Sequence, residues 1–349
     1  MDGIDVALIK TDGMRVLETQ AGATTPYAAG LRQWLQDGLA DPDAAEHTPL
    51  AALEADVTAA HVAAVKAYMA ERALTAAAID IVGLHGQTIV HRPQRRVTRQ
   101  LCDGQAAANA LGIDVVNRFR HADVAAGGEG APLVPLYHQA LTQGMASPVM
   151  VLNLGGVGNV TYTDGGTVIA FDTGPASALI DDFVRRRCGV PLDEGGRIAE
   201  RGVVHGNLVA AMMAHPYFDR APPKSLDRQE FHGQAAAVEA LSDVDGAATL
   251  TAFTIEATAA ALRHVPRRPE RWLVAGGGRR NDYLMRGLQA RLGVPVVAVE
   301  AAGWQGDFIE AECFAFLAVR SLMGLPLSLP ATTGVPRPMT GGDLWKAGR

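Results

Sequence analysis

The sequence predicts an α/β fold of two similar halves. Two observations carry the prediction. Within 152–182 an apolar strand runs into a Gly-rich turn, with a hairpin and then a helix start after it, and within 271–286 a second apolar strand runs into a Gly-rich turn that a helix follows. A length of 349 residues exceeds one typical core and indicates two domains. The content of 48% hydrophobic and 19% charged residues is that of a globular protein. We expect the boundary near 127–131, where GGEGA could form a hinge, and hence domains 1–128 and 129–349.

The elements follow from periodicity and turn residues. The N-terminal DGIDVALIKTDGMRVLE predicts two strands around a turn at 11–13. Apolar residues at helical spacing predict a helix over about 48–74. Further elements are expected in this order: strands near 79–84 and 113–116, a helix after Pro132, three strands, helices between 176 and 264, the strand RWLVA at 271–275, a helix, the strand VPVVAV and a helix near 307–323.

The segment 152–182, LNLGGVGNVTYTDGGTVIAFDTGPASALIDD, combines a Gly-rich turn with an acidic strand end. Gly155, Gly156 and Gly158 allow a tight turn whose N–H groups can approach an anion, as in phosphate-binding loops. Asp172 ends the apolar run TVIAF before a TGP sequence that suits the start of a helix. We expect a carboxylate beside a helix N-terminus and a phosphate loop, which suits phosphoryl transfer. The alternative is an ordinary Gly-rich hairpin.

A second Gly-rich turn follows the strand RWLVA. Gly276, Gly277 and Gly278 remove side chains where a flat ligand could lie against the backbone, and Asn281 can cap the next helix or bind a ligand. A GGG turn alone is a weak signal. Two Gly-rich turns after strands, together with an acidic Asp-Gly turn at the N-terminus, are a stronger signal than either turn alone.

The three segments together resemble the phosphate-1, phosphate-2 and adenosine loops of the sugar kinase, heat-shock protein 70 and actin superfamily. More narrowly, the chain resembles the anhydro-N-acetylmuramic acid kinase family. The matching segments run in order over nearly the whole length: HGQT (85–88), ADVAAGGEGAPLVPLYH (122–138), NLGGVGNVT (153–161), FDTGPASALID (171–181), PKSLDRQEF (223–231) and GGGRRN (276–281). The resemblance implies a two-domain actin-like ATPase fold, ribonuclease H-like, with a central interdomain cleft.

The resemblance also implies an activity. The expected enzyme opens 1,6-anhydro-N-acetylmuramic acid with water and phosphorylates O6 from ATP, giving N-acetylmuramic acid 6-phosphate in cell-wall recycling and amino-sugar catabolism. The resemblance assigns the role of general base to the Asp of a DxGP motif, which is Asp172 in this sequence. This residue could instead cap a helix or bind magnesium, and neither excludes the role of a base. Two other functions remain open: an ordinary sugar kinase whose Asp172 deprotonates a sugar hydroxyl, and a sugar- or nucleotide-binding protein without catalysis.

ATP and Mg²⁺ are the implied cofactors. The residues expected to bind ATP come from the three loops: Asp2, Gly3, Asn153, Gly155, Gly156, Asn159, Gly276, Gly277, Gly278 and Asn281. Asp2 is also expected to orient Mg²⁺ through water.

Four residues are expected to contact the sugar: His85, Gln87, Arg120 and Glu310. The guanidinium of Arg120 fits the lactyl carboxylate, and Glu310 matches a family glutamate. Each has a plainer alternative, such as a structural histidine or a residue on a helix surface. Lys224 and Arg228 lie in a loop that the family shares, and their spacing assigns them no role.

Several positions depart from the family pattern. Family members normally have a strand and Gly-Thr-Ser before the Met-Asp-Gly-Ile-Asp that begins this sequence. We expect a start codon placed too far downstream, with a true truncation as the alternative. The other departures affect fine substrate contacts and leave Asp172 untouched: Glu129 for Gln, Ala176 and Ser177 for Gly-Asn, Arg118 for an acidic residue, and Cys102 for Gly.

Composition excludes several other classes. A net charge of −6 argues against nucleic acid as the main partner. Cys102, Cys188 and Cys313 lie far apart without a CxxC pair, so neither a disulfide framework nor a zinc site is expected. No signal peptide or apolar run of transmembrane length is visible, and we expect a cytoplasmic protein without membrane partners. The family resemblance implies a homodimer.

Overall fold

The computed structural model describes residues 3–40, 46, 48, 50–227 and 229–348. Contacts divide the chain into two compact units: unit 1 is Met1–Leu141 with Phe308–Arg349, and unit 2 is Thr142–Asp307. The expected division at 127–131 differs from this one, because it placed the C-terminal segment in the second domain. In the structure that segment packs within unit 1.

The strands, in chain order, are β1 (Gly3–Val6), β2 (Ile9–Thr11), β3 (Val16–Thr19), β4 (Ala23–Pro26), β5 (Val82–Gly83), β6 (Gln87–Arg92), β7 (Val97–Leu101), β8 (Val115–Asn117), β9 (Val149–Leu154), β10 (Val157–Asp164), β11 (Thr167–Pro175), β12 (Arg271–Ala275), β13 (Val296–Ala298) and β14 (Asp343–Trp345). The α-helices are α1 (Ala29–Ala40), α2 (Ala51–Glu71), α3 (Gly104–Leu111), α4 (His121–Ala125), α5 (Pro135–Leu141), α6 (Ser177–Cys188), α7 (Gly206–Met213), α8 (His232–Ala235), α9 (Asp243–Ala260), α10 (Asp282–Leu292), α11 (Ile309–Leu322) and α12 (Pro330–Thr333). Over the described ranges no helix is both long and apolar enough to cross a bilayer.

Unit 1 combines short sheets with helices. Strand β8 lies between β5, to which it is parallel, and the C-terminal β14, to which it is antiparallel. Helix α11 packs on β5 at a glycine: a Cβ at Gly83 would lie 2.2 Å from the Phe314 carbonyl oxygen. A side chain there would push the helix away, so the close contact explains why the C-terminal segment belongs to this unit. The hairpin β6–β7 was not among the expected elements.

Unit 2 is built on a five-stranded sheet in the order β11-β10-β9-β12-β13. Strand β10 is antiparallel to both of its neighbours, whereas β12 is parallel to β9 and to β13. Numbered along the unit, this is the order 3-2-1-4-5 with the second strand reversed, which is the ribonuclease H-like arrangement expected from the resemblance. The strands bury one hydrophobic face, with Leu152, Phe171 and Trp272, against α9 and α10. Helix α10 contributes Leu288 to this core.

Candidate active site

A row of polar side chains crosses the sheet of unit 2 near one end. Asp172 of β11 lies opposite Asn159 of β10, and Asn159 lies opposite Asn153 of β9. Directly opposed residues in a sheet point to the same face, so these three side chains are neighbours. Adjacent residues on the same strands face the hydrophobic core instead: Leu152, Leu154, Val160 and Phe171. The sheet therefore places one carboxylate and two amides together.

Asp172 is held by the segment that runs from Tyr217 to Leu226. The Leu226 N–H donates to Asp172 Oδ2 at 2.8 Å. The Asp172 N–H donates to the Lys224 carbonyl at 3.0 Å, and the Tyr217 hydroxyl donates to the Asp172 carbonyl at 2.6 Å. Asp172 Oδ1 has no hydrogen-bond partner among the described residues, which leaves one carboxylate oxygen to accept a proton.

Burial raises the pKa of Asp172 to about 6, and the Leu226 hydrogen bond opposes this by lowering it. A base that ionises near 6 is charged at neutral pH and more basic than an exposed aspartate. Helix α6 begins at Ser177 with Ala176 before it, so Asp172 does not cap that helix. The structure thus removes one of the plainer interpretations of this residue.

The Gly155 turn is bonded to the start of α6. The N–H groups of Ala176 and Ala178 donate to the Gly156 carbonyl at 3.0 and 3.2 Å, and that of Ser177 donates to the Gly155 carbonyl at 2.9 Å. The Ser177 hydroxyl donates to the same Gly155 oxygen at 2.9 Å. These helix amides are therefore occupied. Anion binding by this turn has to rely on amides of the turn itself.

The second Gly-rich turn packs against the end of β9. Gly276 has φ +75°, and a Cβ there would lie 2.5 Å from Asn153 Oδ1, so only glycine fits. A Cβ at Gly277 would meet nothing within 4 Å, which leaves open space over the turn. Asn281 caps α10, because its Oδ1 accepts from the Leu284 N–H at 2.9 Å.

Arg279 holds this turn and was not singled out in the sequence. Its Nη1 donates to the Gly276 carbonyl at 2.9 Å, its Nε donates to Glu300 at 2.9 Å, and its Nη2 donates to Asp307 at 3.0 Å. The side chain is buried. The only sequence signal was an Arg-Arg pair after three glycines, which does not distinguish this residue from its exposed neighbour Arg280.

Unit 1 contains a cavity of about 840 Å³ that brings together four expected site residues: Gly3, His85, Gln87 and Glu310. This volume lies in the range of small-molecule sites. Glu310 is an exposed residue in the first turn of α11, where the helix dipole favours a carboxylate. The fourth sugar-contact candidate, Arg120, reaches the cavity wall through His85.

His85 has both ring nitrogens engaged. Arg120 Nε donates to His85 Nε2 at 2.9 Å, and because an arginine can only donate, the proton of the neutral ring is on Nδ1, which lies 2.9 Å from the Gly86 carbonyl. Burial, and then the Arg120 charge, lower the pKa of His85 to about 3. Arg120 Nη1 donates to the Gly130 carbonyl at 2.7 Å. Its Nη2 has no hydrogen-bond partner in the part of the chain that the structure describes.

Three departures from the family pattern have structural partners. Arg118 pairs with Asp343 of β14 at 3.0 Å, and the Ser177 hydroxyl bonds the Gly155 turn. The Glu129 N–H donates to the Thr333 carbonyl at 2.7 Å. Each residue thus serves local structure, and the Glu129 contact comes from backbone alone.

Two of the highlighted residues, Asp2 and Arg228, lie outside the described residues. Within the described ranges no group of three or more His, Cys, Asp or Glu side chains could hold a metal ion. The described residues therefore fit Mg²⁺ only in its usual arrangement with nucleotides, in which phosphates and waters supply most of the ligands and the protein supplies few.

A half-buried carboxylate and two Gly-rich turns therefore lie at one end of a ribonuclease H-like sheet. The family described as Anhydro-N-acetylmuramic acid kinase matches residues 1–347. A relative of that name from Rhizorhabdus wittichii is 52% identical over 348 residues, covering 98% of this chain and 95% of the relative. Another from Rhodospirillum rubrum is 49% identical over 349 residues, covering 99% and 92%. The chain therefore belongs to the anhydro-N-acetylmuramic acid kinase family.

Among solved structures, component A of the (R)-2-hydroxyglutaryl-CoA dehydratase of Acidaminococcus fermentans is similar with a TM-score of 0.46. It is 11% identical, and the match covers 92% of this chain and 99% of that one.

Proposed function

We propose that the protein is an ATP-dependent kinase that opens 1,6-anhydro-N-acetylmuramic acid and phosphorylates its O6, in the recycling of cell-wall sugar. The observation that carries the proposal is Asp172: a half-buried carboxylate with one oxygen fixed by Leu226 and the other without a hydrogen-bond partner among the described residues. Family membership supplies the substrate class, and the environment of this carboxylate supplies the chemistry.

Asp172 acts as the general base. It takes a proton from water as the water oxygen bonds to C1 and the C1–O6 bond breaks. The departing O6 takes the γ-phosphoryl group of ATP, and ADP leaves. A glycosidase that inverts needs a second carboxylic acid to protonate the leaving oxygen, but here the phosphoryl group caps that oxygen. One base is therefore sufficient.

We assign the sugar contacts to Gln87, Arg120 and Glu310, and give His85 the task of orienting Arg120. The Nη2 group of Arg120 is left to bind the lactyl carboxylate, because Nε and Nη1 are occupied by His85 and Gly130. A direct hydrogen bond from a sugar hydroxyl to His85 Nε2 would have to displace Arg120. We therefore assign His85 to orientation and not to direct binding.

Both Gly-rich turns, with Asn153 and Asn159, are assigned to ATP, and Asp2 to the waters of Mg²⁺. Bound Mg²⁺ neutralises charge on the β- and γ-phosphates. Asn281 is assigned to ATP through its Nδ2, because its Oδ1 already caps α10. The proposal includes a cytoplasmic homodimer, as the family resemblance implies.

The test follows one oxygen atom. A single-turnover reaction in ¹⁸O-labelled water with anhydro-sugar and Mg·ATP is analysed by mass spectrometry before the reducing end can exchange. We expect one label at C1, phosphate at O6 and the α-anomer first, because water must attack opposite the C1–O6 bond. An unlabelled product that keeps its anhydro ring would show an ordinary sugar kinase, and no phosphorylated product would favour a binding protein.

A further inference from the structure

We infer that Lys224 is a positioning residue for Asp172: its buried ammonium bonds the start of the segment that places the Leu226 N–H on the Asp172 carboxylate. The inference rests on the proposed function, because it concerns the base of that reaction. It assigns a role to a residue whose sequence context suggested none.

The segment from Tyr217 to Leu226 makes three hydrogen bonds to Asp172. Tyr217 donates to its carbonyl at the start of the segment, the Lys224 carbonyl accepts from its N–H, and the Leu226 N–H donates to Oδ2 at the end. A shift of this segment would therefore alter the position and the basicity of the carboxylate together.

The Lys224 side chain closes this segment on itself. Its Nζ donates to the Tyr217 carbonyl at 3.1 Å and to the Phe218 carbonyl at 3.5 Å, and it lies 3.3 Å from His264 Nε2. The ammonium also lies 4.6 Å from the centre of the Tyr217 ring. One cation thus ties the two ends of the segment, at Tyr217 and beside Leu226.

Lys224 is 7% exposed and has no salt bridge among the described residues. A buried ammonium without a carboxylate partner is costly, and carbonyl oxygens are its compensation. Burial lowers the pKa of Lys224 to about 8, so the side chain is still protonated at neutral pH. The titratable or charged groups that face it are His264, Tyr217, Asp219, Arg220 and Arg263. A hydrophobic residue would pack there without bonding the carbonyls, so packing alone does not require lysine.

The first test replaces the ammonium by Lys224→Met. Loss of the Leu226 hydrogen bond raises the pKa of Asp172, so we expect the acid limb of kcat/KM to move up by about one pH unit. Turnover should fall about fivefold more at pH 6 than at pH 8, with the KM for ATP changed by less than about twofold. Lys66→Met, on an exposed position of α2, is the matched control and should leave the profile unchanged.

A second variant, Leu226→Pro, deletes the N–H donor while Lys224 stays in place. We expect the same shift of the acid limb, and no further shift in the double variant, because both changes remove one interaction. An equal loss of turnover at pH 6 and pH 8 in Lys224→Met, or a Leu226→Pro acid limb that stays at the native position, would overturn the inference. Failure of the proposed function looks different: Asp172→Asn would then keep turnover and the native acid limb would be absent.

Discussion

Burial and a hydrogen bond act in opposite directions on the pKa of Asp172. Burial raises its pKa to about 6, which corresponds to a cost of about 3 kcal/mol for the charged form at neutral pH. This net cost already includes the stabilisation of the charged form by the N–H of Leu226. The remaining penalty is what keeps the carboxylate basic enough to accept a proton from water.

The first prediction concerns this base. Between pH 5 and pH 7 we expect kcat/KM to rise with an inflection near 6, as Asp172 loses its proton. Asp172→Asn keeps the shape but cannot accept the proton, and turnover should fall by about two to four orders of magnitude. Steady-state kinetics from pH 5 to 9 and nucleotide binding by calorimetry measure both effects. Near-normal turnover in the variant would contradict the assignment.

At the scale of the elements, the ends of β9 and β12 carry the two Gly-rich turns, and neighbouring residues hold each turn in place. The Gly155 turn is bonded by the start of α6, and the Gly276 turn by Arg279. Turn shape therefore depends on contacts outside the glycines themselves.

The second prediction tests the Gly276 turn. Arg279→Met removes the bond to the Gly276 carbonyl and leaves Glu300 and Asp307 without this partner. We expect the KM for ATP to rise about tenfold with a smaller change in the KM for the sugar. Arg280→Met is the control, because Arg280 is exposed and, among the described residues, forms an ion pair with Asp307 alone, at 2.6 Å. Equal effects of the two variants would show that the turn does not depend on Arg279.

Local sequence patterns predicted the positions of most helices and strands. They could not predict which distant segments pair or contact each other in the folded chain. The strand Arg271–Ala275 and the long helix α2 appear where apolar spacing predicted them. The short strand β14 went unpredicted, because it is defined by pairing with β8 and by the Trp345 indole donating to Asn117 Oδ1 at 2.8 Å. His85 was found by its motif, but only the folded chain shows that Arg120 occupies its ring nitrogen.

For the whole molecule, the two units should respond differently to acid. Among the described residues of unit 1, five histidines have a pKa that is lowered, first by burial: His61, His85, His91, His121 and His138. In unit 2 the pKa of His264 is also lowered by burial, whereas that of Asp172 is raised. A lowered histidine pKa loses stability as pH falls below about 6.5, because the unfolded chain then binds more protons. A raised carboxyl pKa has the opposite sign and gains stability as pH falls through 6.

The third prediction follows from these signs. On going from pH 7 to pH 5, His85 and His138, each with a pKa of about 3, should cost unit 1 about 2 kcal/mol apiece. Unit 2 should lose less, because Asp172 offsets His264. Hydrogen exchange followed by mass spectrometry, corrected for the intrinsic pH dependence, should show unit 1 losing protection first. In Asp172→Asn the offset should vanish, and unchanged protection of unit 1 at pH 5 would contradict the prediction.

The assignment of Phe308–Arg349 to unit 1 also bears on biosynthesis. Unit 2 is continuous in sequence, so all of its residues are synthesised before α11 and β14. Unit 1 must wait for those elements before β8 gains its second neighbour and β5 its covering helix. The unit whose synthesis starts first is therefore completed last, and a released chain truncated after residue 307 should contain a protease-resistant unit 2 and an unfinished N-terminal segment.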